Sequence, residues 1–397
     1  MTITVVGGGI AGLVAARRLA RGGADVVLHE AGDRLGGTVT WHAVGGVVLD
    51  AGAESFASRK GTVEKLATEL GLAGDVVPPA PGPAWLYRAT GAVPLPATSI
   101  LGVPGVPLAR DVVSVVGWPA ALRALADELI PGTFAANAES LGDLVRRRMG
   151  SRMLDELVAP VTMGVHSAHP DELDVDRVAP GLRGAMRREG SLAKGVRDLR
   201  DRAPAGAAVL GIRGGIHRLV DELATDLAGL GVDVRLGSRY AGPAGDDTVW
   251  AAPLHVSTPG TRVVLVTLVL EGPELDANPR GTGLLVVPGT PGVTAKALTH
   301  STAKWAWLRE RAAGRHVVRL SYAAPVPIDV ARADASTLLG VPIAASAVVD
   351  SDTVVWTRPA PEHDDGSHWR VGETVAGTGL ANVIAQATEV AEAVLAR

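Results

Sequence analysis

The sequence predicts an α/β protein, in which a discontinuous nucleotide-binding domain on a parallel sheet is joined to a second domain of mixed β-sheet and a helical layer. Three observations predict it. The chain opens with a β-branched strand, a glycine turn, an Ala/Leu-rich helix and a second strand, together a β-α-β unit. The same α/β texture returns after Gly214-Gly215 and again at the C-terminus, with a helical stretch intervening, so the first domain is discontinuous. Apolar runs at 261–270 and 317–321 supply strands for a second sheet.

Taken in order, 2–6 is a short β-branched run of the kind buried in parallel sheets, and 11–21 has helical periodicity. Gly22-Gly23 ends that helix, and 25–30 (DVVLHE) is the second strand. From 76 to 131 prolines recur in PPAPGP, VPLP and GVPGVPLAR, which does not suit a nucleotide-binding core. The pattern over 138–199 is helical, and the basic runs Arg146–Arg148 and Arg187-Arg188 read as solvated faces of that layer. A helix at 216–227, a turn at Gly229–Gly231 and a strand at 232–236 follow, and 374–395 is glycine-punctuated and then helical. The expected domains are 1–75, 205–260 and 355–397 for the nucleotide, 76–204 as a substrate-covering region, and 261–354 as a β-rich substrate domain.

The composition, 47% apolar and 20% charged over 397 residues, allows sizeable cores and two domains or so. A net charge of -4 gives no basic field to collect phosphate backbones, so nucleic acid is not expected as a partner. The chain has no cysteine, which excludes disulfides, thiolate metal sites, a redox dithiol and cofactor attachment through sulfur. No metal site is expected, because no ligand set shows local spacing. The apolar opening lacks a basic leader and is broken by glycines, and the longest apolar run has a strand's length. A cytoplasmic protein with no transmembrane segment is expected.

The chemistry begins at Gly7-x-Gly9-x-x-Gly12, placed between strand and helix, where glycines allow a tight turn and close approach of a pyrophosphate. Ile10 and Ala11 then stand at the helix N-terminus facing the phosphates. Glu30, at the end of the second strand, is placed to accept hydrogen bonds from ribose hydroxyls. These are the features of a Rossmann-like dinucleotide site. Arg34-Leu35-Gly36-Gly37, with Thr38 and Thr40, adds a second glycine doublet whose backbone N–H groups and cation suit a diphosphate.

That doublet resembles the second glycine motif of the amine-oxidase and protoporphyrinogen-oxidase flavoprotein superfamily, which implies non-covalent FAD. Asp50 to Glu54 resembles the stretch that brings Ala51, Gly52, Ala53 and Glu54 close to the flavin. Val234 sits in a strand resembling the one beside the adenine, and Ala251 in the small-residue strand that closes the nucleotide domain. Gly372-Glu373 and Gly379-Leu380 resemble the closing flavin motif; the resemblance implies that Glu373 binds the ribityl or phosphate side and that the helix from Leu380 aims its positive end at the pyrimidine ring.

The order of Val165–Asp174, Arg188–Leu192, Gly214–Leu219 and Ala295–His300 with Lys304-Trp305 resembles actinobacterial coproporphyrinogen III and protoporphyrinogen oxidases along most of the chain. The resemblance implies oxidation of coproporphyrinogen III to coproporphyrin III with oxygen as acceptor, a step of haem biosynthesis, and hand-over of product to a ferrochelatase. Protoporphyrinogen IX is the alternative substrate; an amine oxidase and a flavin-binding homologue without turnover are the rival readings. Hydride transfer to the flavin needs positioning more than a side-chain base, so no catalytic side chain is assigned. Arg59 and Lys60, then Lys296 and Lys304, are candidates for substrate propionates, with solvated surface charge as the alternative for each. His166, His169 and His300 read as structural groups or substrate contacts, His166 being the one assigned to substrate. Against the family pattern, a hairpin is reduced to 239–247 and a helix before the closing motif is replaced by 361–369.

Overall fold

The first sheet is parallel throughout. β1 (Thr2–Val6) pairs with β2 (Asp25–His29) on one side and with Thr248–Trp250 on the other; Asp233–Arg235 extends the sheet beyond β2 and Trp369–Arg370 beyond Thr248–Trp250. In this computed structural model, residues 2–58, 61–166, 168–202, 209–243, 245–253, 260–360 and 368–397 are described. Val5, Leu28 and Val249 are fully buried, as expected of parallel strands covered on both faces. The covering helices are α1 (Ile10–Arg21), α2 (Arg218–Gly229) and α3 (Leu380–Leu395); α2 and α3 both pack on α1. Leu13, Leu19, Leu223 and Ile384 belong to their common core. Arg17 is buried inside α1 because Glu69 and Asp226 neutralise it, at 2.6 and 2.5 Å.

β3 (Trp41–Val44) and β4 (Val47–Asp50) form a hairpin that turns at Gly45-Gly46. Both glycines have positive φ (56° and 76°), the requirement of a two-residue turn that follows the twist of its strands. β4 ends at Asp50, whose carboxylate accepts from the N–H groups of Ile216 and His217 at 2.9 and 3.0 Å. Those two residues, expected inside a helix beginning at 216, instead precede α2, and Asp50 caps them from another element.

The second sheet has seven strands, in the order Val348–Arg358, Thr261–Leu270, His316–Tyr322, Ala297–His300, Gly283–Val286, Trp85–Arg88 and Gly91–Pro94. Its pairs are antiparallel except for Gly283–Val286 with Trp85–Arg88. The Pro-rich region thus contributes a hairpin, which its composition did not suggest. Helices between 110 and 201 pack around Val115, Leu144, Leu157 and Leu182, giving the helical layer. Among the described residues no helix is long and apolar enough to cross a membrane, and no group of His, Asp and Glu could hold a metal ion.

Candidate functional site

The two glycine motifs lie side by side. Gly36 N–H donates to the Gly8 carbonyl at 2.8 Å, and Gly9 and Gly36 form a parallel bridge. A Cβ on Gly7 would press on the Ala251 carbonyl at 3.1 Å, and one on Gly372 would lie 3.6 Å from the Ala11 side chain. A Cβ on Gly52 would strike the Thr38 carbonyl. Segments far apart in sequence, around Gly9, Gly37, Gly52, Ala251 and Gly372, therefore meet at the start of α1.

Gly9 tests whether this cradle suits a dinucleotide. Its φ of -70° and ψ of 174° are open to any residue, yet a Cβ there would meet nothing within 4 Å. The space in front of it is not filled by protein, and no side chain caps the N-terminus of α1 beside it. Gly12 differs, because a Cβ would collide with the Gly7 carbonyl, so this glycine serves helix-strand packing. At the other end of the cradle, no side chain caps α3 and a Cβ on Gly379 would also meet nothing within 4 Å. The residues fit FAD: Gly9, Ile10, Ala11 and Gly37 lie together at the open N-terminus of α1, where they would hold the diphosphate, and Arg34 and Thr38 are exposed. Glu30 accepts from the N–H groups of Gly8 and Gly32 at 2.7 and 2.6 Å, which fixes its carboxylate while leaving lone pairs for ribose hydroxyls. Val234 is half-buried on the outer strand, opposite Leu28. The Glu373 carboxylate, expected on the ribityl or phosphate side, pairs with Arg358 at 3.2 Å.

The stretch after β4 is gripped from the second sheet. Arg319 donates to the carbonyls of Asp50, at 3.0 Å, and of Gly52, and Trp356 donates its indole N–H to that of Ala51 at 2.9 Å. Glu54 accepts from the Lys304 ammonium and the Ser301 hydroxyl, both at 2.8 Å. Burial pushes the Glu54 carboxyl up, but the charges of Lys304 and Arg319 override it and hold the group at about 2. Arg319 and Ser301 were not expected at the site. The available signal was Arg319 itself, a lone charge in the otherwise apolar-patterned strand HVVRLSY.

Of the expected substrate cations, Arg59 and Lys60 lie outside the described residues. Lys304 is a correction: its ammonium is committed to Glu54, so its charge is compensated inside the protein. Lys296 lines a cleft of about 220 Å³ between the helix Ala159–His166 and the second sheet. His166 ends that helix, with its side chain outside the described residues, as are 361–367 ahead of the closing motif. His169 is half-buried and caps the turn Pro170–Glu172, accepting from the Asp171 N–H at 3.3 Å. His300 is fully buried, 3.2 Å from His316, which reaches Asp276 at 3.2 Å. Burial, then His316 and Arg309, push the His300 imidazole down to about 3, so it stays neutral. In the shortened 239–247 segment, Tyr240 packs its ring between His29 and Trp250 at centroid distances of 5.3 and 5.8 Å.

A family model described as flavin containing amine oxidoreductase matches residues 10–242. The chain is 29% identical over 266 residues to the coproporphyrinogen III oxidase of Propionibacterium freudenreichii, covering 58% of this chain and 50% of that one. It is 27% identical over 247 residues to the coproporphyrinogen III oxidase of Staphylococcus aureus, covering 59% and 53%. The chain thus spans about half the length of these curated relatives. A solved structure of a candidate protoporphyrinogen oxidase from Exiguobacterium superposes with a TM-score of 0.84 over 100% of this chain and 98% of that one. At 20% identity, that likeness is one of fold.

Proposed function

The chain belongs to the flavin-containing amine oxidoreductase family, and from that premise we propose that it oxidises a porphyrinogen to the porphyrin with oxygen as electron acceptor. Its cofactor is FAD, held without a covalent bond. The chemistry a bound FAD would supply is two-electron oxidation of the substrate with reoxidation by oxygen, three times in succession for each porphyrin formed, with one hydrogen peroxide released each time. The chain's own part is to hold and orient: the glycine cradle and Glu30 fix the nucleotide, and the stretch from Ala51 to Glu54 borders the flavin.

The observation that carries the proposal is the cleft beside Lys296. Its walls, from Pro160, Met163, Val286 and Val293, are apolar, as a macrocycle face requires. Lys296 joins no ion pair among the described residues, which leaves it to meet a propionate. An amine-oxidase site would line the flavin with aromatic rings near the closing motif. Here Trp356 is bound to the Ala51 carbonyl, and Trp369 donates to the Asp246 carbonyl at 3.2 Å with the Arg397 guanidinium 4.6 Å over its ring.

Coproporphyrinogen III is the substrate in the relatives' names. One observation favours protoporphyrinogen IX: with Lys304 committed to Glu54, fewer cations remain for the two additional propionates of coproporphyrinogen. Steady-state oxygen uptake with each porphyrinogen and with a benzylamine tests the proposal. Uptake with a porphyrinogen and none with the amine is the expected outcome, and the higher kcat/KM identifies the substrate. Turnover of the amine alone overturns the proposal.

A further inference from the structure

The hydrogen bonds on the flavin-bordering stretch are one-sided. The Asp50 and Gly52 carbonyls accept from Arg319 and the Ala51 carbonyl from Trp356, so three consecutive acceptors are turned toward the second sheet. No peptide bond here is cis, and a trans peptide points its N–H opposite to its C=O. The Gly52 N–H, paired in one peptide with the Ala51 carbonyl, therefore points away from Trp356. The Ala53 N–H, paired with the Gly52 carbonyl, likewise points away from Arg319. Neither N–H has a protein partner among the described residues, whereas the Ala51 N–H donates to the Thr40 carbonyl at 2.8 Å. A peptide that accepts a charge-assisted hydrogen bond at its oxygen is polarised and becomes a stronger donor at its nitrogen.

We propose that Arg319 is a positioning residue that acts through the Gly52-Ala53 peptide, aiming a polarised N–H at the flavin and raising its reduction potential. The inference rests on the reading that this stretch borders the flavin. Gly52 supports the placement, since it packs so closely on Thr38, beside the glycine cradle, that a Cβ would strike the Thr38 carbonyl. Glu54 faces both Lys304 and Arg319, and the Asp50 carboxylate is turned to the N–H groups of Ile216 and His217 at 2.9 and 3.0 Å, so among the described residues neither carboxylate forms an ion pair with the Arg319 guanidinium. Reduced flavin is more electron-rich than oxidised flavin, so a donor and a cation on this side favour the reduced form. Trp356 performs the same orientation on the neighbouring peptide without charge.

The test uses the FAD-loaded protein with Arg319→Gln, Arg319→Lys and Trp356→Phe, reading the midpoint potential of the bound flavin, the FAD dissociation constant and the melting temperature of the FAD-free protein. Arg319→Gln is expected to shift the oxidised-to-reduced equilibrium about tenfold toward oxidised, roughly 30 mV for a two-electron couple. Arg319→Lys is expected to recover part of that shift and Trp356→Phe to produce a smaller one. If Arg319→Gln does not fold, Arg319→Lys carries the test, with a smaller shift in the same direction. Lower melting temperature and weaker FAD binding, with the potential of the remaining bound flavin unchanged, mean a structural role and overturn the proposal. Wild-type protein that takes up no FAD overturns instead the cofactor reading beneath it, so the two failures are distinguishable.

Discussion

Lys304 donates its ammonium to the Glu54 carboxylate at 2.8 Å, across 250 residues of sequence, with both side chains about six-sevenths buried. The pair ties the stretch after β4 to the helix Ser301–Lys304, which follows a strand of the second sheet. Glu54→Gln removes the negative partner and leaves Lys304 buried without it, at an expected cost of about 2–3 kcal/mol by urea unfolding near neutral pH. The folded-state value near 2 lies below the ordinary 4.5, so Glu54's contribution is present above about pH 4.5 and is lost as pH falls toward 2. The wild type and the variant should therefore converge across that window. A gap independent of pH assigns the loss to packing.

Gly9 and Gly12 separate ligand space from packing. Gly9→Ala meets no protein atom and adopts an allowed backbone conformation, so stability of the FAD-free protein should change by less than about 1 kcal/mol. FAD affinity should fall at least tenfold, roughly 1.4 kcal/mol. Gly12→Ala should lower stability first, because its methyl runs into the Gly7 carbonyl. Equal affinity for Gly9→Ala and wild type by flavin fluorescence titration moves the diphosphate elsewhere.

His300 should make folding sensitive to mild acid. Its folded value of about 3 lies below the ordinary 6.5, so between those limits the unfolded chain takes up a proton that the folded chain refuses. Stability is full above pH 6.5 and falls as pH drops, by about 2 kcal/mol from this residue between pH 6.5 and 5. His300→Gln, which can still hydrogen-bond His316, should lose correspondingly less over that interval. Parallel curves for the two proteins in pH-resolved urea unfolding contradict a buried neutral imidazole.

Lys296→Ala should raise KM for a porphyrinogen severalfold and leave kcat little changed, because a propionate at the cleft mouth is bound equally before and during hydride transfer. Added salt should raise KM of the wild type more than that of the variant. A fall in kcat with KM constant places Lys296 near the reacting carbon instead.

The cradle was legible because its motifs are local. Gly7 to Gly12 and Arg34 to Gly37 carry their meaning in spacing along a strand, a turn and a helix, and the structure places them against each other. What was not legible depends on partners far away in sequence. Lys304 reads as a free cation until Glu54 is beside it, and the Asp50 carboxylate reads as part of a flavin motif until it is found capping Ile216 and His217. The hairpin Trp85–Pro94 was hidden for the same reason: prolines obscure its strands, and its sheet partner Gly283–Val286 lies almost 200 residues on.

Anaerobic mixing of FAD-loaded protein with coproporphyrinogen III or protoporphyrinogen IX tests the proposed function most directly, because it isolates electron transfer from reoxidation. One of the two should bleach the visible flavin absorbance within a single turnover, by the first of the three two-electron oxidations that a porphyrin requires, and admission of oxygen should restore the flavin spectrum with release of hydrogen peroxide and let porphyrin fluorescence rise as the remaining two oxidations proceed. A fully loaded flavin that stays oxidised with both porphyrinogens would contradict the assignment.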